Sequence, residues 1–179
     1  MTDPREPVQP SGMRAEQFSA LMRYRVRQIL LVASRYDSFL LEEEGQLAEL
    51  LAREYRNLEI NIRHVPRIVA AESGRQALEM LRGTAFDLVI TTTRLADMPL
   101  DAFAAALRAA QPDLPLGVLV PHAWDIPRLA ALRAAGTARW VMLWQGDAKT
   151  LLAMIEQEED RRNADADVLQ SRVQAIIVV

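Results

Sequence analysis

The chain contains no cysteine. That removes disulfide stapling, thiolate nucleophiles and cysteine-ligated zinc from the chemistry open to it, and it suits a reducing, cytoplasmic setting. Histidine occurs only at His64 and His122, far apart in sequence, so a histidine-rich metal cluster cannot be built. Neither sign of charge dominates. With 21 Lys and Arg against 24 Asp and Glu, the net charge of -3 gives no long-range attraction to nucleic acid or to an anionic membrane surface. No apolar run approaches the length of a membrane span. The opening MTDPREPVQPSG is Pro-rich and lacks an apolar core, which makes it a tail and not a signal peptide. No glycine-rich loop follows the first apolar segment, so a dinucleotide fingerprint and a Walker-type phosphate cradle are both missing.

What is present is a regular alternation. RQILLVA (27–33) is a near-continuous apolar run of strand length, as in a parallel strand covered on both faces. Residues 37–55 have a helical stripe of Phe39, Leu40, Leu47, Leu50 and Leu51, with Asp37 as its N-cap or in its first turn. A second strand is expected within LEINIRHV (58–65), interrupted by Pro66, with RIVAA continuing it as an edge element. Ser73 caps the next helix, which Gly83 ends. FDLVIT, LPLGVLV and ARWVML supply three more strands, separated by helices over 101–110 and about 125–135, the latter closed by Gly136. A last helix starts near Asp147. Five strands in strict alternation with helices predict an α/β fold, a doubly wound parallel sheet. Gly117 is the weak point in the fourth strand, since glycine loosens a strand unless a neighbour packs closely there.

The expected organisation is a disordered tail with a short helix over 14–24, a domain over 26–157, a helical linker over 158–172 and the start of a following domain at 173–179. The closing VQAIIVV echoes VRQILLV of the first strand, which suggests a second domain of the same kind; pairing at a sheet edge or with a neighbouring molecule is the plainer reading. The acidic stretch from 156 reads either as a solvated face or as part of a signalling helix.

In an open α/β sheet, function collects beyond the carboxyl ends of the strands. The residues there are Ala33, Ser34 and Arg35 after the first strand, Thr92, Thr93 and Arg94 after the third, Pro121 and His122 after the fourth, and Leu143, Trp144 and Gln145 after the fifth. Ser34 and Thr92 have no adjacent base to make a hydroxyl nucleophilic. Asp37, Asp97 and Asp125 read as helix caps and turn residues. Arg35, Arg94 and His122 offer possible contacts for an anion. The sequence places no catalytic constellation, and an enzyme on this scaffold would need a buried, pKa-shifted acid or base at the strand ends.

RQILLVA, the long middle segment AESGRQALEMLRGTAFDLVITTTRLADMP and AAGTARWVML together resemble the receiver domain of bacterial response regulators, over about residues 26–157. The resemblance implies a five-stranded, flavodoxin-like (CheY-like) sheet of order 2-1-3-4-5. It also puts the family's machinery on the wrong residues. The acidic pair that binds magnesium falls on Ala33 and Ser34, and the phosphoacceptor aspartate on Thr92. The switch hydroxyl falls on Val120, or on Pro121 with a slip of one, the lysine on Leu143 and the proline after it on Trp144; Trp140 keeps the aromatic switch position. The resemblance therefore implies a degenerate, non-catalytic pseudo-receiver without magnesium or other cofactor, the first of a tandem. Its partners would be other protein domains in the same chain, or a second copy through the face formed by 125–135, 139–143 and 147–160, with Trp124, Trp140 and Trp144 on or near it. No nucleic acid or membrane is implied. A small-ligand or anion-sensing rim is the alternative. The passages around SRYDSFLLEEEG and RHVPRIVAAESG further resemble tandem receivers attached to phosphoenolpyruvate- or pyruvate-handling enzymes.

Overall fold

The computed structural model describes residues 23–37, 66–145 and 148–171. Five parallel strands, β1 (Gln28–Val32), β2 (Arg67–Ala71), β3 (Leu88–Thr92), β4 (Leu116–Val120) and β5 (Trp140–Leu143), form one sheet in the order β2-β1-β3-β4-β5. Helices α1 (Gly74–Gly83), α2 (Leu100–Ala110), α3 (Ile126–Ala134) and α4 (Ala148–Ser171) alternate with them, and a 3-10 turn, Ala123–Asp125, precedes α3.

Every residue of β3 and β4 is buried. Successive strand side chains point to opposite faces, so both faces of the sheet centre are covered. On one face Leu30, Val32, Val89, Leu116, Val118 and Val120 pack with Ala77 and Leu81 of α1 and with Phe103 and Leu107 of α2. The buried residues of α2, Leu100, Phe103, Ala104 and Leu107, follow the i, i+3, i+4, i+7 spacing of one helix stripe. The other face carries Gly117, where a Cβ would stand 2.6 Å from the Met154 sulfur. This places α4 opposite α1 and α2, and it resolves the glycine in β4: a large neighbour occupies the space a side chain would need. The edge strands β2 and β5 are only partly buried.

The structure changes several local expectations. RIVAA, expected as an edge continuation of the second strand, is the edge strand β2, paired in register with β1 from Gln28 opposite Arg67 to Val32 opposite Ala71; residues 58–65, the expected start of that strand, lie outside the described residues. So do most of the expected helix over 37–55, most of the one over 14–24, and the closing 173–179. Arg23 and Tyr24 carry no helix. Ser73 caps α1 as expected, accepting from the Gln76 N–H at 3.2 Å. Asp125 precedes α3 without a side-chain cap bond and instead stands 3.7 Å from Arg128.

The chain divides into two compact units, Val26–Glu158 and Met1–Arg25 with Glu159–Val179. Within the second, the buried side chain of Asn163 pairs with the Tyr24 backbone as a strand would. Its Oδ1 accepts from the Tyr24 N–H at 2.7 Å and its Nδ2 donates to the Tyr24 carbonyl at 2.8 Å. Arg25 meets the buried Glu159 at 2.8 Å, and the Arg162 guanidinium lies 4.2 Å from the Tyr24 ring centre. In the first unit Glu158 is fully buried, with Arg139 at 3.7 Å. The acidic stretch of α4 is therefore not a wholly solvated face. No described helix is long and apolar enough to cross a membrane.

Candidate functional site

Strand register builds the rim at the carboxyl ends of the strands. Val32 stands opposite Thr91, so Ala33 is level with Thr92; Thr92 stands opposite Leu119, and Val120 opposite Leu143. Ala33, Thr92, Val120 and Leu143 thus lie along one edge of the sheet, with Ser34 just beyond Ala33.

Their chemistry is turned inward. Ala33 is buried, and its N–H bonds to the Ala71 carbonyl at 3.1 Å. The Ser34 hydroxyl donates to the Asp37 carboxylate at 2.9 Å and accepts from the Asp37 N–H at 3.1 Å. Asp37 is thereby a first-turn residue capped by Ser34 and not itself the cap. Thr92 is buried, its hydroxyl donating to the Arg94 carbonyl at 3.2 Å, while the Thr91 hydroxyl donates to the Thr92 carbonyl at 3.1 Å. A hydroxyl held by its own loop and lacking a base is a poor nucleophile. Val120 is buried; Leu143, where the resemblance puts a lysine, is 39% exposed. Trp144 is buried with its backbone N–H on the Val120 carbonyl at 2.8 Å, and its indole N–H has no hydrogen-bond partner among the described residues. Trp140 is half-buried, with the Arg139 guanidinium 5.8 Å from its ring centre.

The three candidate anion contacts are not gathered. Arg35 is exposed and faces Glu72 at 4.0 Å, Arg94 is exposed, and His122 stacks on Trp124 with ring centres 4.3 Å apart and planes inclined by 17°. Trp124 is 70% exposed. With Tyr36 and Leu143 it makes up the exposed large hydrophobics among the described residues; Tyr36 and Trp124 follow strand ends and Leu143 ends β5.

Asp97 has a role that sequence reasoning missed. Its carboxylate accepts from the Gly74 N–H at 2.8 Å and the Arg75 N–H at 2.9 Å, so it closes the start of α1 from the loop after β3. The bond from Arg75, with that from Gly74, holds its carboxyl below the ordinary 3.8 against the opposing effect of desolvation. Among the described residues no group of three or more His, Cys, Asp or Glu is placed to hold a metal ion. The residues at the rim do not fit magnesium either, which requires hard oxygen donors and normally carboxylates where this chain has Ala33, Ser34 and Thr92.

No protein-family model matches the sequence, and no curated protein does. Solved structures match with confidence. The response regulator receiver domain protein of Clostridium thermocellum is 18% identical with a TM-score of 0.58, over 78% of this chain and 98% of that one. The CheY-like receiver domain protein of Methanospirillum hungatei is 15% identical with a TM-score of 0.58, again over 78% and 98%. A redox sensor of the streptococci, from a family described as evolved from two-component response regulators, is 22% identical with a TM-score of 0.54, over 86% of this chain and 58% of that one. At such identities the likeness is one of fold. Strand order and these neighbours agree, and the chain has the flavodoxin-like fold of CheY-like response regulator receiver domains.

Proposed function

We propose that this chain is a receiver module of two-component-type signalling that is not phosphorylated on aspartate and acts through protein-protein contact in the cytoplasm. The observation that supports the reading is the rim itself: Ala33, Thr92, Val120 and Leu143 lie at the carboxyl ends of neighbouring strands, and they are the residues on which the receiver resemblance puts acids, a hydroxyl and a lysine. Aspartyl phosphorylation requires a carboxylate nucleophile, a divalent cation to neutralise the phosphoryl oxygens, and a cation to pair with the product. Thr92 supplies no carboxylate, and Leu143 supplies no charge.

With that chemistry gone, output rests on surfaces. Trp124 is mostly exposed and Trp140 half-exposed on the segments 125–135 and 139–143 or just before them, and tryptophan is enriched where binding energy concentrates. The streptococcal redox sensors, described as evolved from two-component response regulators, support the broader point that a receiver-derived chain can take up another sensing role.

The test is intact-mass analysis after incubation with acetyl phosphate and magnesium, with tryptophan emission followed in parallel. The expected result is no added phosphoryl mass and no magnesium-dependent change in emission. A labile phosphoryl adduct would overturn the reading, and Asp97 would then be the first acceptor to examine by substitution.

A further inference from the structure

At the amino-terminal ends of β4 and β5, the opposite end of the strands from the rim, a cleft of about 280 Å³ opens between the loops that lead into these strands. Leu114, Pro115 and Ala138 are among its apolar lining, while its charged lining is Arg108, Arg133 and Arg139 against the single acid Asp113.

The three arginines are held differently. Arg108 donates to the carbonyl oxygens of Pro112 and Gly136, one in each loop, which fixes its guanidinium across the cleft. Arg139 is steadied by Glu158 at 3.7 Å and by the Trp140 ring at 5.8 Å. Arg133 is exposed, and its guanidinium makes no ion pair or hydrogen bond among the described residues. None of the three pairs with Asp113. Arg108 and Arg133 lie in the last turns of α2 and α3, where helix carbonyls favour a cation. That effect explains why Arg108 is stable on backbone carbonyls, but it leaves Arg133 and the outer edge of Arg139 unmatched.

We propose that this cleft binds a small phosphate-bearing anion. Guanidinium forks match phosphate oxygens in pairs. More than one guanidinium at a single cleft suits a dianion better than a lone carboxylate. The space exceeds that of a bare phosphate, and its mainly polar lining, with Leu114, Pro115 and Ala138 beside the arginines, suits a charged ligand more than an apolar one. The bound anion would tie together the loops before β4 and β5. The site is independent of the rim and of whether Thr92 accepts phosphate.

The test is calorimetric titration of the full chain with inorganic pyrophosphate and, separately, with AMP, at constant ionic strength. Saturable one-to-one binding is expected, weakened about tenfold by Arg133→Gln, the loss of one charge-assisted contact. Arg133 is exposed, so the variant should keep its melting temperature. The rim variant Arg94→Gln should bind as the parent does. Tighter AMP binding would assign the apolar walls to an organic body, and tighter pyrophosphate binding an inorganic ligand; both support the proposal. No saturable binding of either probe, or equal weakening by Arg94→Gln and Arg133→Gln, overturns it. The mass test for phosphorylation reads the rim alone, so the two conclusions fail separately.

Discussion

Asp97 and Ser73 illustrate which single residues a sequence discloses. Ser73 stands immediately before α1 and bonds three residues ahead, a local pattern that announces a cap. Asp97 bonds the same helix start from 23 residues away, and nothing in the local spacing signals it. Because the Arg75 and Gly74 N–H groups hold its folded pKa below 3.8, the charged form is the one they stabilise. That stability is present above pH 3.8 and is lost as pH falls through the lower folded value. Asp97→Asn should therefore lower the melting temperature near neutral pH, and the gap to the parent should close as the pH drops below 3.8. Thermal melts of both proteins across the acid range measure this difference, which cancels the protonation of the other carboxylates. A gap that stays constant with pH would show that the bonds do not act through the carboxylate charge. Ser34 and Asp37 carry the same lesson in reverse: the helix start was legible, but whether Asp37 caps it or sits in its first turn was settled by its paired bonds with Ser34, which the sequence reading does not weigh as a cap.

At the scale of elements, the buried strands were the most legible and the edge the least. β3 and β4 are continuous apolar runs whose both faces are covered, and no other element type fits their length and context. RIVAA, expected after Pro66 as an edge element, is the edge strand in register with β1. Pairing is a property of two strands, so the apolar content of RIVAA alone does not announce which residue of β1 it faces. The acidic stretch of α4 misled for a related reason. Glu159 and Asn163 lie on the most charged part of the helix, but their partners Arg25 and Tyr24 are 134 and 139 residues away. Asn163→Ala removes both backbone contacts to Tyr24 from a buried position, and its cost is about 1–3 kcal/mol where the carbonyl and N–H lose their partners. Hydrogen exchange should show the Tyr24 amide losing protection, while amides of β3 keep theirs. Unchanged protection at Tyr24 would mean that the Asn163 pairing does not hold the segment before β1.

For the whole molecule, the doubly wound architecture followed from alternation alone, while the strand order came from the receiver resemblance and was then met by the sheet. The altered rim was legible only because that resemblance supplied positions at which acids were expected; composition and spacing give no reason to look at Thr92 in particular. The structure adds that Ala33 and Thr92 are level on neighbouring strands, so acids introduced here would be drawn close. A Ser34→Asp, Thr92→Asp variant places two carboxylates at adjacent strand ends, one of them at a position 6% exposed, and removes the Ser34 bond to Asp37. Like-charge repulsion and desolvation both oppose ionisation there, so the variant should melt below the parent in the absence of metal. Those same carboxylates are the hard oxygen donors that magnesium requires. Magnesium should then raise the variant's melting temperature, with a stabilisation of about 2.7 kcal/mol at a hundredfold excess over its dissociation constant. The parent should not respond, because its rim offers two hydroxyls already bonded within their own loops. A parent that magnesium stabilises as strongly as the variant would mean that the rim still holds the metal without its carboxylates, and the non-phosphorylatable reading would lose its physical basis.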